Sequence, residues 1–175
     1  MSNLIVKNFY NNLDLTKKYK LAGFDLDYTL IKTKSGNLFP KYKNDWLLLN
    51  DQIKPKLLEL SNNSDYIIVI FSNQKGLGKQ SKLLVDNFKD KIDNIKKLLN
   101  IDFIFLASLA DDIYRKPQTG MFKYLKAELG IKINKKDSFY VGDMAGREND
   151  KFDTDLQFAS NLKVKFMTPE EYFLL

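Results

Sequence analysis

Phe24-Asp25-Leu26-Asp27-Tyr28-Thr29-Leu30 is the stretch from which the rest of the chain is read. The apolar run Leu21 to Phe24 predicts a strand over 20–25 that delivers two carboxylates one residue apart, before Thr29 turns the chain away. On a strand, residues i and i+2 share a face, so Asp25 and Asp27 are expected to project side by side. Two like charges that close raise the proton affinity of one of them. Asp25 would then stay anionic, as nucleophile or metal ligand, while Asp27 holds a proton as general acid. An ordinary strand-to-turn junction accounts for the same residues, since Asp is common where strands end.

Outward from this stretch, strands alternate with amphipathic helices. Tyr66 to Phe71 is apolar on both faces, the mark of a buried parallel strand. Further strands are predicted over 103–106, 138–141 and 164–166, with a short edge strand over 4–9. Leu84, Val85, Phe88, Ile92, Ile95 and Leu99 recur at helical spacing over 81–99. Pro55 suits the first position of a helix running to Ser61, and Thr119 suits the cap of a helix that stops at Gly130. Ser35-Gly36-Asn37 and Pro40 mark turns, with room for a small hairpin. The pattern is that of an α/β fold with a mainly parallel sheet, and no repeat or linker divides residues 1–175.

Composition removes whole classes of chemistry. The chain of 175 residues has neither cysteine nor histidine. Disulfides, Cys-based zinc sites, Ser-His-Asp hydrolysis and Cys- or His-linked phosphoryl intermediates are therefore excluded. Carboxylates, lysine and hydroxyls must carry any reaction. No stretch reaches the roughly 18 apolar residues of a membrane span. Met1-Ser2-Asn3-Leu4 lacks the regions of a signal peptide, so the expected location is intracellular, cytoplasmic or nuclear. A net charge of +6 favours phosphate-rich partners, although lysine abundance throughout the chain explains it as well.

Polar clusters follow directly on the predicted strands: Asp25 and Asp27, then Ser72-Asn73-Gln74, Arg115-Lys116-Pro117 and Gly142-Asp143. In open parallel sheets ligands bind beyond the carboxyl ends of strands, so these groups are expected in one crevice. Asp25 and Asp143 suit a hard cation such as Mg²⁺. Ser72 and Lys116 suit phosphate oxygens.

The set Asp25-x-Asp27-x-Thr29, Ser72, Lys116 and Gly142-Asp143, in that order, resembles the haloacid dehalogenase (HAD) superfamily of phosphotransferases. Longer words are more specific. Ala22 to Asp27, Ser35 to Pro40, Asp45-Trp46, Phe71 to Gln74, Tyr114 to Met121, Val141 to Arg147 and Thr168 to Phe173 closely resemble the phosphatase domain of polynucleotide kinase 3′-phosphatases. The resemblance runs from about Leu4 to Leu175. It implies a HAD-like (Rossmannoid) fold and one Mg²⁺-dependent domain that removes 3′-phosphates from DNA ends. Asp25 would be the nucleophile that becomes an aspartyl-phosphate, and Asp27 the acid and then the base. Asp25, the Asp27 carbonyl and Asp143 would hold Mg²⁺, and Ser72 and Lys116 the phosphoryl group. Thr29, Lys34, Asn73, Gln74, Arg115 and Arg147 are the expected substrate contacts.

Some positions depart from the pattern or stay open. Tyr28 stands where the family has glycine; it either narrows the entrance, stacks on a terminal base, or is a tolerated exposed side chain. Ser72 replaces a more usual threonine. Asp150 and Asp155 match family acids, and helix surface charge explains them equally. The intervals between motifs leave no room for a cap domain, which suits a polymer end. Lys32, Lys41, Lys43, Lys75 and Lys79 join Lys34, Arg115 and Arg147 on the expected rim. Gly76-Leu77-Gly78-Lys79-Gln80-Ser81 is not a phosphate loop, because Asn73 stands at its first glycine and Gln80 at its Ser/Thr. No kinase module is present in this sequence, so a stand-alone phosphatase or part of a longer kinase- or ligase-associated assembly is expected. The competing functions are a capless HAD phosphatase for a small phosphomonoester, such as histidinol phosphate or a sugar phosphate, and a non-catalytic nucleic-acid-binding module.

Overall fold

The computed structural model describes residues 3–174, so the expectations for Met1, Ser2 and Leu175 lie outside it. Strands β1 (Leu4–Asn8), β2 (Lys18–Phe24), β5 (Tyr66–Asn73), β6 (Ile104–Ser108), β7 (Lys132–Val141) and β8 (Lys165–Met167) form one sheet in the order β1-β6-β5-β2-β7-β8. Only β1 runs antiparallel to its neighbour. From β2 the chain builds outward through β5 and β6, then returns to the other side of β2 to lay down β7 and β8. That reversal makes the carboxyl end of β2 a topological switch point, where open α/β sheets bind ligands.

The apolar-both-faces reading of 66–71 explains the layering. In β5, Ile68 and Ile70 face one core while Ile67, Val69 and Phe71 face the other, as a period of two requires. The first core is covered by α1 (Ile53–Ser61), α2 (Lys82–Leu99) and α5 (Pro169–Phe173), through Leu57, Ile92, Ile95 and Phe173 among others. The second is covered by α3 (Gly120–Ala127) and α4 (Thr154–Leu162), through Met121, Leu125, Phe158 and Leu162. Each such side chain contributes about 1.5–3 kcal/mol by leaving water.

Several boundaries differ from expectation. β2 ends at Phe24, before Asp25, and β5 continues to Asn73. Pro55 is the third residue of α1, still within the first turn where a missing N–H costs nothing. The Thr119 side chain makes no capping hydrogen bond, and α3 ends at Ala127. In place of a tight hairpin, residues 33–46 form a long loop closed by β3 (Ile31–Lys32) pairing antiparallel with β4 (Leu47–Leu48). Helices α4 and α5 lie outside the predicted elements. Yet α5 opens with a local signature: Thr168 accepts from the Glu171 N–H, Glu171 accepts from the Thr168 N–H, and Pro169 stands first. No further folded unit is inserted between the motifs among the described residues.

Candidate active site

Asp25 leaves the end of β2 with its N–H donating to the Val141 carbonyl at 2.8 Å, so it sits level with the end of β7. Its carboxylate is buried, and Oδ1 accepts from Lys116 Nζ at 2.6 Å. Lys116 comes from the loop between β6 and α3. A reciprocal pair of bonds to Asn73 fixes its backbone: the Lys116 N–H donates to Asn73 Oδ1 at 2.9 Å, and Asn73 Nδ2 donates to the Lys116 carbonyl at 3.0 Å. The Lys116 amine also donates to Asp155 Oδ1 and to the Tyr140 hydroxyl, both at 2.8 Å. The Tyr140 hydroxyl in turn donates to Asp155 Oδ1 at 3.0 Å. All three N–H donors of the buried ammonium are thereby used.

Asp155 is 1% exposed, which overturns the surface-charge reading of this residue. It reaches the cluster because Gly142, the residue after β7, has no side chain. A β-carbon on Gly142 would lie 2.5 Å from Asp155 Cβ. Asp155 Oδ2 accepts from the Met144 N–H at 3.1 Å, which binds the start of α4 to the loop carrying Asp143. Asp25, Asp143 and Asp155 each offer a carboxylate oxygen, and the three lie within 4.8 Å of one another. A set of hard oxygen donors this close fits a hard divalent cation.

The electrostatics follow from burial. Desolvation raises the Asp25 carboxyl well above its ordinary range; Lys116 opposes this, and Asp155 and Asp143 reinforce it. Desolvation, with Asp155 beside it, likewise lifts Asp143 to about 7. Burial alone would pull Lys116 down, but the Asp155 and Asp25 carboxylates more than offset this and hold the ammonium above its usual value. The crowding expected between Asp25 and Asp27 is instead a crowding of Asp25 with Asp143 and Asp155. The physical reason is that β2 stops at Phe24, so the strand rule relating i to i+2 no longer applies.

Asp27 is more exposed, and its charge still acts on Asp143. Its side chain is 43% exposed, Oδ2 accepts from Gln74 Nε2 at 2.6 Å, and Lys91 Nζ lies 3.9 Å from Oδ1. Gln74 Nε2 also donates to the buried Ser72 hydroxyl at 2.9 Å, so one amide spans Asp27 and Ser72. Lys91 belongs to α2 and is nearly buried; desolvation lowers its proton affinity, with Asp27 and Asp45 acting against that. Thr29 is fully buried and its hydroxyl has no hydrogen-bond partner. A substrate contact at Thr29 therefore conflicts with its placement.

Tyr28 has φ 57°, the left-handed region that β-carbons disfavour. Its hydroxyl donates to the carbonyls of Leu38 at 3.0 Å and Asn37 at 3.2 Å, strapping the 33–46 loop beside Asp27. That loop is folded around Asp45, whose buried carboxylate accepts from the Ser35 N–H, the Ser35 hydroxyl and the Lys41 N–H. Leu38 and Phe39 stand exposed on it. Lys34 is exposed on the same loop. Arg115 faces Asp111 at 3.7 Å. Arg147 spends its guanidinium on Asp150, Glu170 and the Asp143 carbonyl. Asp150 braces this loop, accepting from the N–H groups of Ala145 and Arg147, and lies outside the carboxylate cluster. On the rim, Lys43 and Lys75 are paired with Asp90 and Asp111. Gly78 of the false phosphate loop is needed for packing, since a β-carbon there would overlap the Leu109 carbonyl.

Tyr140 and Lys91 were missed from sequence. Tyr140 reads as one more apolar residue of a buried strand. Lys91 carried a signal: it falls three residues after Phe88, on the buried stripe of α2.

Residues 20–173 match the family described as "Polynucleotide kinase 3 phosphatase". A bifunctional polynucleotide phosphatase/kinase of Schizosaccharomyces pombe is 41% identical over 165 residues, covering 94% of this chain and 40% of that protein. The chain thus spans less than half of that relative. The polynucleotide 3′-phosphatase of Saccharomyces cerevisiae is 31% identical, covering 86% of this chain and 85% of its own. A crystal structure described as a HAD-like phosphatase from Mesorhizobium loti superimposes with a TM-score of 0.68 over 93% of this chain and 77% of its own, at 18% identity. That likeness establishes the α/β HAD-like fold.

Proposed function

Since the chain belongs to the polynucleotide kinase 3 phosphatase family, we propose that it hydrolyses the 3′-phosphate of a DNA end by way of an aspartyl-phosphate on Asp25. The observation that carries this reading is the Lys116 amine 2.6 Å from Asp25, inside a cluster of three carboxylates. Asp25 attacks phosphorus and the bond to the 3′ oxygen breaks. Asp27, held at one oxygen by Gln74, gives its proton to that oxygen. Asp27 then takes a proton from the water that attacks phosphorus, releasing inorganic phosphate and regenerating Asp25. Lys116 and the Ser72 hydroxyl face the charge that develops on the phosphoryl oxygens. Asp25, Asp143 and the Asp27 carbonyl, with Asp155 as a further oxygen donor, would hold Mg²⁺, which would supply neutralising charge beside Asp25.

A capless entrance supports a polymer end over a small phosphomonoester. Among the described residues no helix is long and apolar enough to cross a membrane, and a repair role in cytoplasm or nucleus is part of the same proposal. So is association with a kinase activity, on the same chain or a partner, as in the fission yeast relative. The test is phosphate release from 3′- and 5′-phosphorylated oligonucleotides and from small phosphomonoesters, with and without Mg²⁺. Release confined to the 3′-phosphate and abolished in Asp25→Asn supports the proposal. Full activity in Asp25→Asn, or a preference for small esters, overturns it.

A further inference from the structure

Away from the carboxylate cluster, α3, the end of α4 and Lys135 of β7 border an open cleft of about 590 Å³. Lys123, Lys126 and Lys135 line it with Phe122 and Asn161, and no acidic residue does. The Lys126 and Lys135 amines each lie 5.8 Å from the centroid of the Phe122 ring. Among the described residues none of the three lysines has a carboxylate partner. Three unneutralised like charges around one concavity repel one another and concentrate anions there.

The cleft is also tied to the catalytic loop. Asn161 Nδ2 donates to the Pro117 carbonyl at 3.0 Å, one residue from Lys116. Thr119, on the same loop, lines the cleft. Phe122 is only 5% exposed, so it cannot serve as a stacking platform for a base. What remains available is positive charge, which reads phosphate without regard to sequence.

We propose that this cleft is a second nucleic-acid site, one that holds the phosphodiester backbone of the strand whose 3′ end occupies the catalytic cluster. The inference rests on the 3′-phosphatase reading for the identity of its ligand. It predicts that affinity grows with strand length, because only a longer strand spans both sites.

The test compares the full chain with Lys126→Glu/Lys135→Glu, using fluorescent 3′-hydroxyl oligonucleotides of about 4 and about 20 nucleotides over a range of salt. The double variant is expected to bind the long strand about tenfold more weakly, with a salt slope smaller by about 1.4, at about 0.7 for each lost single-strand phosphate contact. Binding of the short strand and kcat on a short 3′-phosphorylated strand should not change. Lys126→Ala/Lys135→Ala should show a smaller loss in the same direction. Equal losses for both lengths, or unchanged binding of the long strand, overturn the proposal. So does displacement of the long strand by pyrophosphate at matched phosphate concentration, which would mark a site for free phosphates. Lysine-dependent capture of an acidic peptide with no effect on DNA likewise overturns it. Binding is read without turnover. Length-dependent binding through the cleft by a protein that releases no phosphate would therefore overturn the phosphatase reading and leave this one standing.

Discussion

Lys116 and Asp155 form a buried ion pair at 2.8 Å, with side chains 3% and 2% exposed, although they come from different elements. The pair joins the loop after β6 to the first turn of α4, so it serves both chemistry and stability. Breaking a buried pair from one side leaves an uncompensated charge and costs about 3–5 kcal/mol. Asp155→Ala is expected to lose stability of that order in urea unfolding. Asp155→Asn keeps the volume, and should lower kcat by about 10–100-fold by loosening the orientation of Lys116. A fully active, fully stable Asp155→Ala would remove this residue from the site.

Lys116→Met exchanges the amine for an apolar side chain of similar length. A single donor facing transition-state charge in a dry site is worth about 10²–10³ in kcat. Steady-state kinetics on a 3′-phosphorylated oligonucleotide should show that loss at saturating substrate. A change in KM alone would place Lys116 in binding and not in the reaction.

Asp143 sets a pH dependence for the metal-free protein. Its carboxyl is raised to about 7 in the folded state, so between its unfolded value of 3.8 and about 7 the native state binds more protons than the unfolded state. Its contribution is therefore complete below the unfolded value and is lost as pH rises through about 7. At 1.36 kcal/mol per unit the loss is at most about 4 kcal/mol. Chemical denaturation in EDTA, with Asp143→Asn as reference, should show wild type losing stability relative to the variant over that window. Added Mg²⁺ should bind more tightly as pH rises and flatten the difference. A wild type that gains on the variant over that range would refute the assignment.

Tyr28 strains the backbone to hold the 33–46 loop. Tyr28→Phe keeps the strain and loses both hydroxyl bonds, so the loop should become the first site of limited proteolysis, and KM for oligonucleotides should rise with little change in kcat. Tyr28→Gly relieves a backbone cost on the order of 1 kcal/mol but also frees the loop. If neither variant alters proteolysis or KM, the strap has no bearing on substrate entry.

The sheet and the positions of Asp25, Lys116 and Asp143 were legible because strand ends announce themselves. Runs such as Tyr66 to Phe71 stop abruptly at polar residues, and the parallel topology gathers those stops at one end. Partnerships across the site were not legible. Asp155 lies in an acid-rich run that reads as helix surface, and only the bare Gly142 lets it inward. The extension of Asp25 beyond its strand depends on where β2 stops pairing. No local pattern marks that point, so the companion of Asp25 was read as Asp27. Helices α4 and α5 were hidden by shortness, although Thr168-Pro169-Glu170-Glu171 spells out the start of α5.

Asn73 presents a donor and an acceptor to the backbone of Lys116, as a neighbouring strand would. The Lys116 amine is thus indexed to the tip of β5 as well as to its own loop. Grafting experiments between relatives should reflect this. Asn73→Ala should displace the amine even with the loop untouched.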